Sequence, residues 1–196
     1  MTATANRLRR RPFIAELLAQ RGTALVVPGL GSPNWDVFAA GDSPDYLYAW
    51  GGMGLAVPTA LGLALARPER RVLAITGDGE MMMGIGALAV VADQGPTNLA
   101  ILVLDNESFA ETGGQRGLTA NRTDIALAAR GFGFTETMTV SEHAALPELG
   151  RLLFHAPGPV LAVAKVAVTK DPWALPEKDG AAIAYRFRRA LGLGEG

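Results

Sequence analysis

The stretch Val72-Leu73-Ala74-Ile75-Thr76-Gly77-Asp78-Gly79-Glu80 passes from an apolar run into a glycine-flanked carboxylate, and it sets the reading of the chain. Val72 to Ile75 is bounded by Arg70-Arg71 before and Gly77 after, which reads as a buried parallel strand. Met81 to Ala92 reads as a helix, and Leu99 to Leu104 as a second buried strand. In an open α/β sheet, ligands sit beyond the carboxyl ends of the strands. Asp78 and the pair Asp105-Asn106 both fall at such ends.

Working outward, the same alternation repeats. A helix is expected over Pro12–Arg21 and a strand over Ala24–Val27. A Gly/Pro loop then leads to a short helix at Ser32-Pro33, with Ser as N-cap and Pro at N1. A short strand near Tyr46–Ala49 leads to a turn at Gly51–Gly54 and a helix that ends before Arg67-Pro68. After the central strand–helix–strand, Asn106 to Asn121 is a long polar loop. Loops of that length in a compact domain are usually functional lids or disordered. A helix over Asp124–Arg130, a strand over Phe134–Thr137, a helix over Ser141–Phe154 and a strand over Pro159–Val168 complete the pattern. Lys170–Lys178 is a Pro-rich linker, and Asp179-Gly180 opens a last helix to Leu191. Alternating strands and helices predict an α/β fold, a doubly wound and mainly parallel sheet with helices on both faces. The expected division is a flexible basic arm over residues 1–11, one domain over 12–168, and a linker with C-terminal helix over 169–196.

The chemistry expected at the strand ends follows from the residue types. Gly77 and Gly79 let the backbone turn close to a ligand. The amides of Gly79 and Glu80 open the following helix, where unpaired N–H groups favour an anion. Asp78 and Asn106 offer hard oxygens suited to Mg²⁺, which completes its shell with phosphate oxygens and water. A backbone carbonyl just after Asn106 can supply a third protein ligand. A dinucleotide fingerprint fails, because Met82 stands where its third Gly belongs. Met81-Met82-Met83 reads as a helix packing face, since a soft-metal site would want Cys or clustered His. Alone, Gly-Asp-Gly is an ordinary strand-to-helix turn, and its neighbours decide otherwise.

Those neighbours carry a resemblance. Gly77-Asp78-Gly79 followed downstream by Asn106 resembles the signature of thiamine diphosphate-dependent enzymes, and the chain is similar to their diphosphate-binding (PP) domain. Asp105-Asn106-Glu107-Ser108-Phe109-Ala110-Glu111-Thr112-Gly113-Gly114-Gln115 is similar to a loop of the sulfopyruvate and phosphonopyruvate decarboxylase group. Gly51-Gly52-Met53-Gly54 is similar to that group's Gly-Ser-Met-Gly segment.

The resemblance implies roles. Asp78, the Asn106 side chain and the Ser108 carbonyl would bind Mg²⁺. The Gly79 and Glu80 amides would hold the diphosphate, with Gly77 and Phe109 beside it and Thr112 and Gly113 closing over it. The Gly51 carbonyl and Met53 amide would meet the pyrimidine ring, and the Met53 side chain would wedge the cofactor into its bent, catalytic shape. Two departures stand out: Gly52 replaces a frequent Ser, and Glu80 stands where many relatives have Ser. The Glu80 side chain is expected to point outward while its amide binds.

Nothing in the sequence resembles the pyrimidine-binding (PYR) domain that supplies the activating glutamate. The expectation is therefore one subunit of a split enzyme, paired with a PYR subunit as α₂β₂, or a homodimer when alone. The implied reaction is decarboxylation of a small 2-oxoacid to an aldehyde. The rivals are an acetolactate synthase-like carboligase subunit and a non-catalytic scaffold that only binds the cofactor. A 2-oxoacid:ferredoxin oxidoreductase subunit would commonly bring cluster cysteines.

Composition bounds the rest. The 196 residues suit one sizeable domain, and 18 Lys+Arg against 19 Asp+Glu give a net charge of −1. That balance argues against a nucleic-acid partner, which needs a basic face. The absence of Cys excludes disulfides and Cys-ligated metal within the chain. No apolar run is long enough to span a membrane and no secretory h-region is visible, so a cytoplasmic protein is the default expectation. Arg7-Leu8-Arg9-Arg10-Arg11 is expected as a solvated arm. His143 and His155 read as structural or surface residues. Arg116 and Arg122 read as exposed ion-pairing residues on or past the lid.

Overall fold

Each of the two central strands sends alternate side chains into opposite cores, and that doubled burial organises the molecule. The computed structural model describes residues 7–194. Its elements run α1 Arg10–Leu18, β1 Leu25–Pro28, α2 Ser32–Ala39, α3 Ala56–Ala66, β2 Val72–Gly77, α4 Asp78–Met83, α5 Ala87–Gln94 and β3 Leu99–Asp105. There follow β4 Ser108–Phe109, β5 Gln115–Arg116, α6 Ile125–Phe132, β6 Glu136–Val140, α7 Leu146–His155, β7 Val160–Lys165 and α8 Gly180–Ala190. Five strands form one parallel sheet in the order β1-β2-β3-β7-β6, and β4 and β5 form a separate antiparallel hairpin.

Along β3, Ala100, Leu102 and Leu104 join one core with Ile14, Leu17 and Leu149 from α1 and α7. Leu99, Ile101 and Val103 join the other with Leu88, Val91 and Ile125 from α5 and α6. This is the period-two alternation of a strand covered on both faces. Each such Leu, Ile or Val side chain removed from water contributes roughly 1.5–3 kcal/mol. The doubly wound α/β reading of the sequence therefore holds.

Several local expectations need correction. The helix expected over Met81–Ala92 is two helices, α4 and α5, broken around Gly84. The break follows from a close approach of two backbones: a Cβ built on Gly84 would lie 2.5 Å from the Gly54 carbonyl oxygen. As a result Met83 is 68% exposed, so only Met81 and Met82 pack into the core. Ser32 does not cap α2; Gly31 holds that position with φ 82°, and the Ser32 hydroxyl reaches Glu111 instead, at 2.5 Å. The strand expected near Tyr46–Ala49 is a single bridge between Tyr46 and Val26. The helix expected from Ser141 begins at Leu146, after a 3-10 turn over His143–Ala145. Asp179 does cap α8, accepting from the amides of Ala181 (2.8 Å) and Ala182 (3.3 Å).

The basic run is not a solvated arm over its described part. Arg10 lies inside α1, is buried, and pairs with buried Asp36, which Arg11 also reaches at 3.1 Å. Burial holds the Asp36 carboxyl above the usual range, against the pull of the two guanidinium groups. Leu8 bridges to Val166 beyond the end of β7, and Arg7 reaches Glu107. Residues 1–6 of the expected arm lie outside the described residues.

Candidate active site

The carboxyl ends of β2 and β3 open into a cleft of about 590 Å³. Its walls bring together Met53, Gly77, Asp78, Gly79, Glu80, Asn106, Ser108, Phe109 and Thr112, all singled out in the sequence. Gly113 lines the adjoining cleft instead, and Gly51 and Gly52 precede Met53 on the turn. The cleft also takes in Leu30, Trp35, Trp50 and Met83, which the sequence did not mark. Their spacing along the chain gives no signal, because tertiary packing alone brings them to one wall.

Asp78 starts α4 and is buried. The Thr119 hydroxyl lies 3.0 Å from Asp78 Oδ2 and 2.8 Å from Asp105 Oδ1. One proton is thus shared between two carboxylates. Asp105 has a cation of its own, since Lys165 Nζ lies 2.6 Å from its Oδ2. Asp78 pairs with no basic side chain among the described residues. Burial first, and then the charge of Asp105, push its carboxyl up to about 6. A buried carboxylate in this state is the environment that a divalent cation relieves.

The neighbouring donors suit a hard cation. Asn106 and Ser108 face the same cleft as Asp78. The Asn106 carboxamide oxygen accepts from the Ser108 amide at 2.9 Å, which folds the loop and orients both residues. Among the described residues there is no cluster of three His, Cys, Asp or Glu. One carboxylate and one carboxamide instead suit the oxygen preference of a Mg²⁺ that also takes phosphate oxygens.

Between Asn106 and Ser108 stands Glu107, at φ 59°, left-handed and costly for a residue with a Cβ. Four contacts hold it there: Arg7 at 2.7 Å and Lys165 at 3.0 Å on its carboxylate, its own amide donating to Asp105 Oδ1 at 3.0 Å, and its carbonyl accepting from the Gly117 amide at 2.7 Å. Burial favours a neutral Glu107, but Arg7 and Lys165 outweigh it and hold the carboxyl below its ordinary range. Burial likewise opposes charge on Lys165, and Asp105 and Glu107 together hold its ammonium above its ordinary range. Sequence reasoning missed Thr119, Glu107 and Lys165 as site residues. The available signal was Lys165, a lone charge within the otherwise apolar run expected as the last strand.

The polar loop after β3 is built rather than loose. The β4–β5 hairpin pairs Ser108 with Arg116 and Phe109 with Gln115. The Phe109 ring lies over the start of α4, where a Cβ on Gly79 would approach it to 3.1 Å. On the opposite wall, Leu55 fills the space beside Gly52, and a Cβ there would overlap its side chain. Glu80 contradicts expectation: its side chain points inward and is buried, and its carboxylate accepts from the Thr76 hydroxyl at 2.8 Å. Burial raises its carboxyl above the ordinary range.

An open parallel sheet with a carboxylate and a carboxamide at adjacent strand ends, over a largely apolar cleft, defines an α/β domain of the cofactor-binding class. Residues 35–164 match the family described as thiamine pyrophosphate enzyme, C-terminal TPP binding domain, and the chain belongs to that family. It is 42% identical over 110 residues to the sulfopyruvate decarboxylase subunit beta of Methanothermobacter thermautotrophicus, covering 56% of this chain and 58% of that one. It is 29% identical over 167 residues to the subunit of the same name from Methanocaldococcus jannaschii, covering 85% and 88% of the two. Among solved structures it is similar to a candidate thiamin diphosphate-dependent enzyme from Mycobacterium smegmatis, with TM-score 0.71 and 26% identity, over 85% of this chain and 33% of that one. The first of these matches spans little more than half of its relative's length. Among the described residues, no helix is long and apolar enough to cross a membrane.

Proposed function

We propose that this chain is the PP-type subunit of a split thiamine diphosphate-dependent 2-oxoacid decarboxylase, similar to sulfopyruvate decarboxylase. The observation that carries this is Asp78, a buried carboxylate held up to about 6 with no cationic partner among the described residues, facing the same cleft as Asn106 and Ser108.

In this reading Asp78, the Asn106 side chain and the Ser108 carbonyl hold Mg²⁺. The amides of Gly79 and Glu80 meet the diphosphate, and Thr112 and Gly113 close over it from the loop that follows β4. Phe109 shields that region from water by lying over Gly79. The Gly51 carbonyl and Met53 amide serve the pyrimidine ring, and the Met53 side chain packs against the cofactor as a soft wedge. Bound thiamine diphosphate supplies an electron sink for breaking a bond next to a carbonyl, leaving the protein to orient and control protons. A PYR-type partner contributes the activating glutamate, and the α₂β₂ assembly places the cofactor between the two chains. The Met53 side chain, 41% exposed in this chain, is available to such a shared interface. A cytoplasmic location and a small 2-oxoacid substrate complete the proposal.

The test is co-expression with a PYR-type partner, titration with Mg²⁺ and thiamine diphosphate, and a CO₂-release assay over a panel of 2-oxoacids. Saturable Mg²⁺-dependent binding with CO₂ release supports the reading. Binding without CO₂ from any 2-oxoacid points to the scaffold alternative. Coupling to an added acceptor aldehyde points to a carboligase.

A further inference from the structure

The reading above uses the Glu80 amide and leaves its side chain without a role. That side chain is nonetheless among the most enclosed charged groups of the site, at 3% exposure. Glu80 and Gly84 lie one helical turn apart and so share a face. Both meet the segment that starts at Gly51. Gly84 backs onto Gly54 directly, as the 2.5 Å approach shows. Glu80 meets the same segment through its carboxylate: the backbones of Ala56, Gly54 and Leu30 favour its charged form, while its one full hydrogen bond comes from the Thr76 hydroxyl. Oε1 has no hydrogen-bond partner among the described residues. Room for the group is provided by Gly29, where a Cβ would overlap Glu80 Oε2.

A buried acceptor left unfilled is costly, and native structures keep few of them. Here the acceptor sits among three amides from two separate segments. Its negative charge therefore attracts backbone from pieces of chain that nothing in local sequence connects.

We propose that Glu80 is a positioning residue, a latch that fixes the Gly51–Gly54 turn and the start of α3 to α4. This rests on the thiamine diphosphate reading, and it gives that site a mechanical link. The backbone that would serve the pyrimidine end is held in register with the loop that would hold the metal and diphosphate. Glu80 acts through the amides of Leu30, Gly54 and Ala56, and its carboxylate touches no reacting atom.

The test is amide hydrogen exchange on the full chain without ligand, comparing Glu80→Ser, Glu80→Gln, Gly29→Ala and the Gly29→Ala/Glu80→Ser double variant. Loss of a charge-assisted tie should speed exchange over residues 52–57 by about tenfold or more in Glu80→Ser, with β3 and β7 unchanged. Glu80→Gln keeps the length and one acceptor oxygen, and should stay within about threefold of the parent. Gly29→Ala displaces the carboxylate without touching α4 and should accelerate the same segment, which carries the test if Glu80→Ser fails to fold. In the double variant Gly29→Ala should add almost nothing, because the group it displaces is gone. Unchanged exchange over 52–57 in a folded Glu80→Ser or Gly29→Ala chain overturns the latch, as does simple additivity of the two substitutions. No ligand is present, so such a failure condemns the latch alone, whereas failure of the parent chain to bind Mg²⁺ and thiamine diphosphate condemns the cofactor reading.

Discussion

Lys165 Nζ sits 2.6 Å from Asp105 Oδ2, so the carboxylate at the end of β3 is already neutralised while Asp78, at the end of β2, is not. Both approach the same Thr119 hydroxyl. The asymmetry divides their roles: Asp105 is built into the scaffold, and Asp78 is left short of positive charge.

With its carboxyl raised to about 6 from an ordinary value of 3.8, Asp78 binds a proton more tightly in the folded chain than in the unfolded one. Below about pH 4 both forms are protonated and the cost is absent; it grows between about pH 4 and 6 and levels off above, at no more than about 3 kcal/mol. Metal-free chain should therefore lose stability as pH rises through that window, and Asp78→Asn should flatten the profile and raise stability at pH 7. Urea denaturation across pH reads this directly. Mg²⁺ must displace the same proton, so its affinity should fall below about pH 6 by up to about tenfold per unit. An Asp78→Asn profile identical to the parent's would exclude Asp78 as the source.

Thr119→Val removes the hydroxyl shared by the two carboxylates. It should destabilise the metal-free chain by about 1–3 kcal/mol, since a buried acceptor loses its donor. Saturating Mg²⁺ should recover part of that loss, because the cation supplies the missing partner. The measurement is a denaturation midpoint with and without metal.

Glu107 offers a separable test of strain and charge. Glu107→Gly accepts φ 59° freely but loses the contacts to Arg7 and Lys165, whereas Glu107→Ala loses the contacts and keeps the strain. Left-handed conformation costs a non-glycine residue about 1–2 kcal/mol. Mg²⁺ affinity measured by calorimetry should therefore fall further in the Ala variant, by about fivefold to thirtyfold relative to Gly. Equal affinities would mean that the backbone at this position does not orient Asn106 and Ser108.

Met53→Ala should lower turnover by a larger factor than it lowers cofactor affinity, because a packing wedge shapes the bound cofactor more than it retains it. Single-turnover kinetics and cofactor titration in the presence of the partner separate the two. An unchanged rate removes the wedge role.

The sheet was legible because strands buried on both faces read as unbroken apolar runs, and Leu99 to Leu104 could be little else. The cleft residues Asp78 and Asn106 were legible for the same reason: strand ends follow from the runs. What escaped was whatever depended on contacts between distant segments. Glu80 reads from sequence as a residue whose amide matters, and nothing near it discloses that Gly29 leaves a socket for its carboxylate. The α4–α5 break was invisible because it depends on Gly54 meeting Gly84. The basic run hid its structure in the same way: Arg10 looks solvated until Asp36 is found against it.

The shortness of α4 has a last consequence. Six residues add up only a feeble field along the axis. In the proposed reading, an anion resting there would be gripped by individual N–H groups and by whatever ion Asp78 recruits, with little electrostatic reserve behind them. Chelation should then release the ligand outright instead of merely loosening it.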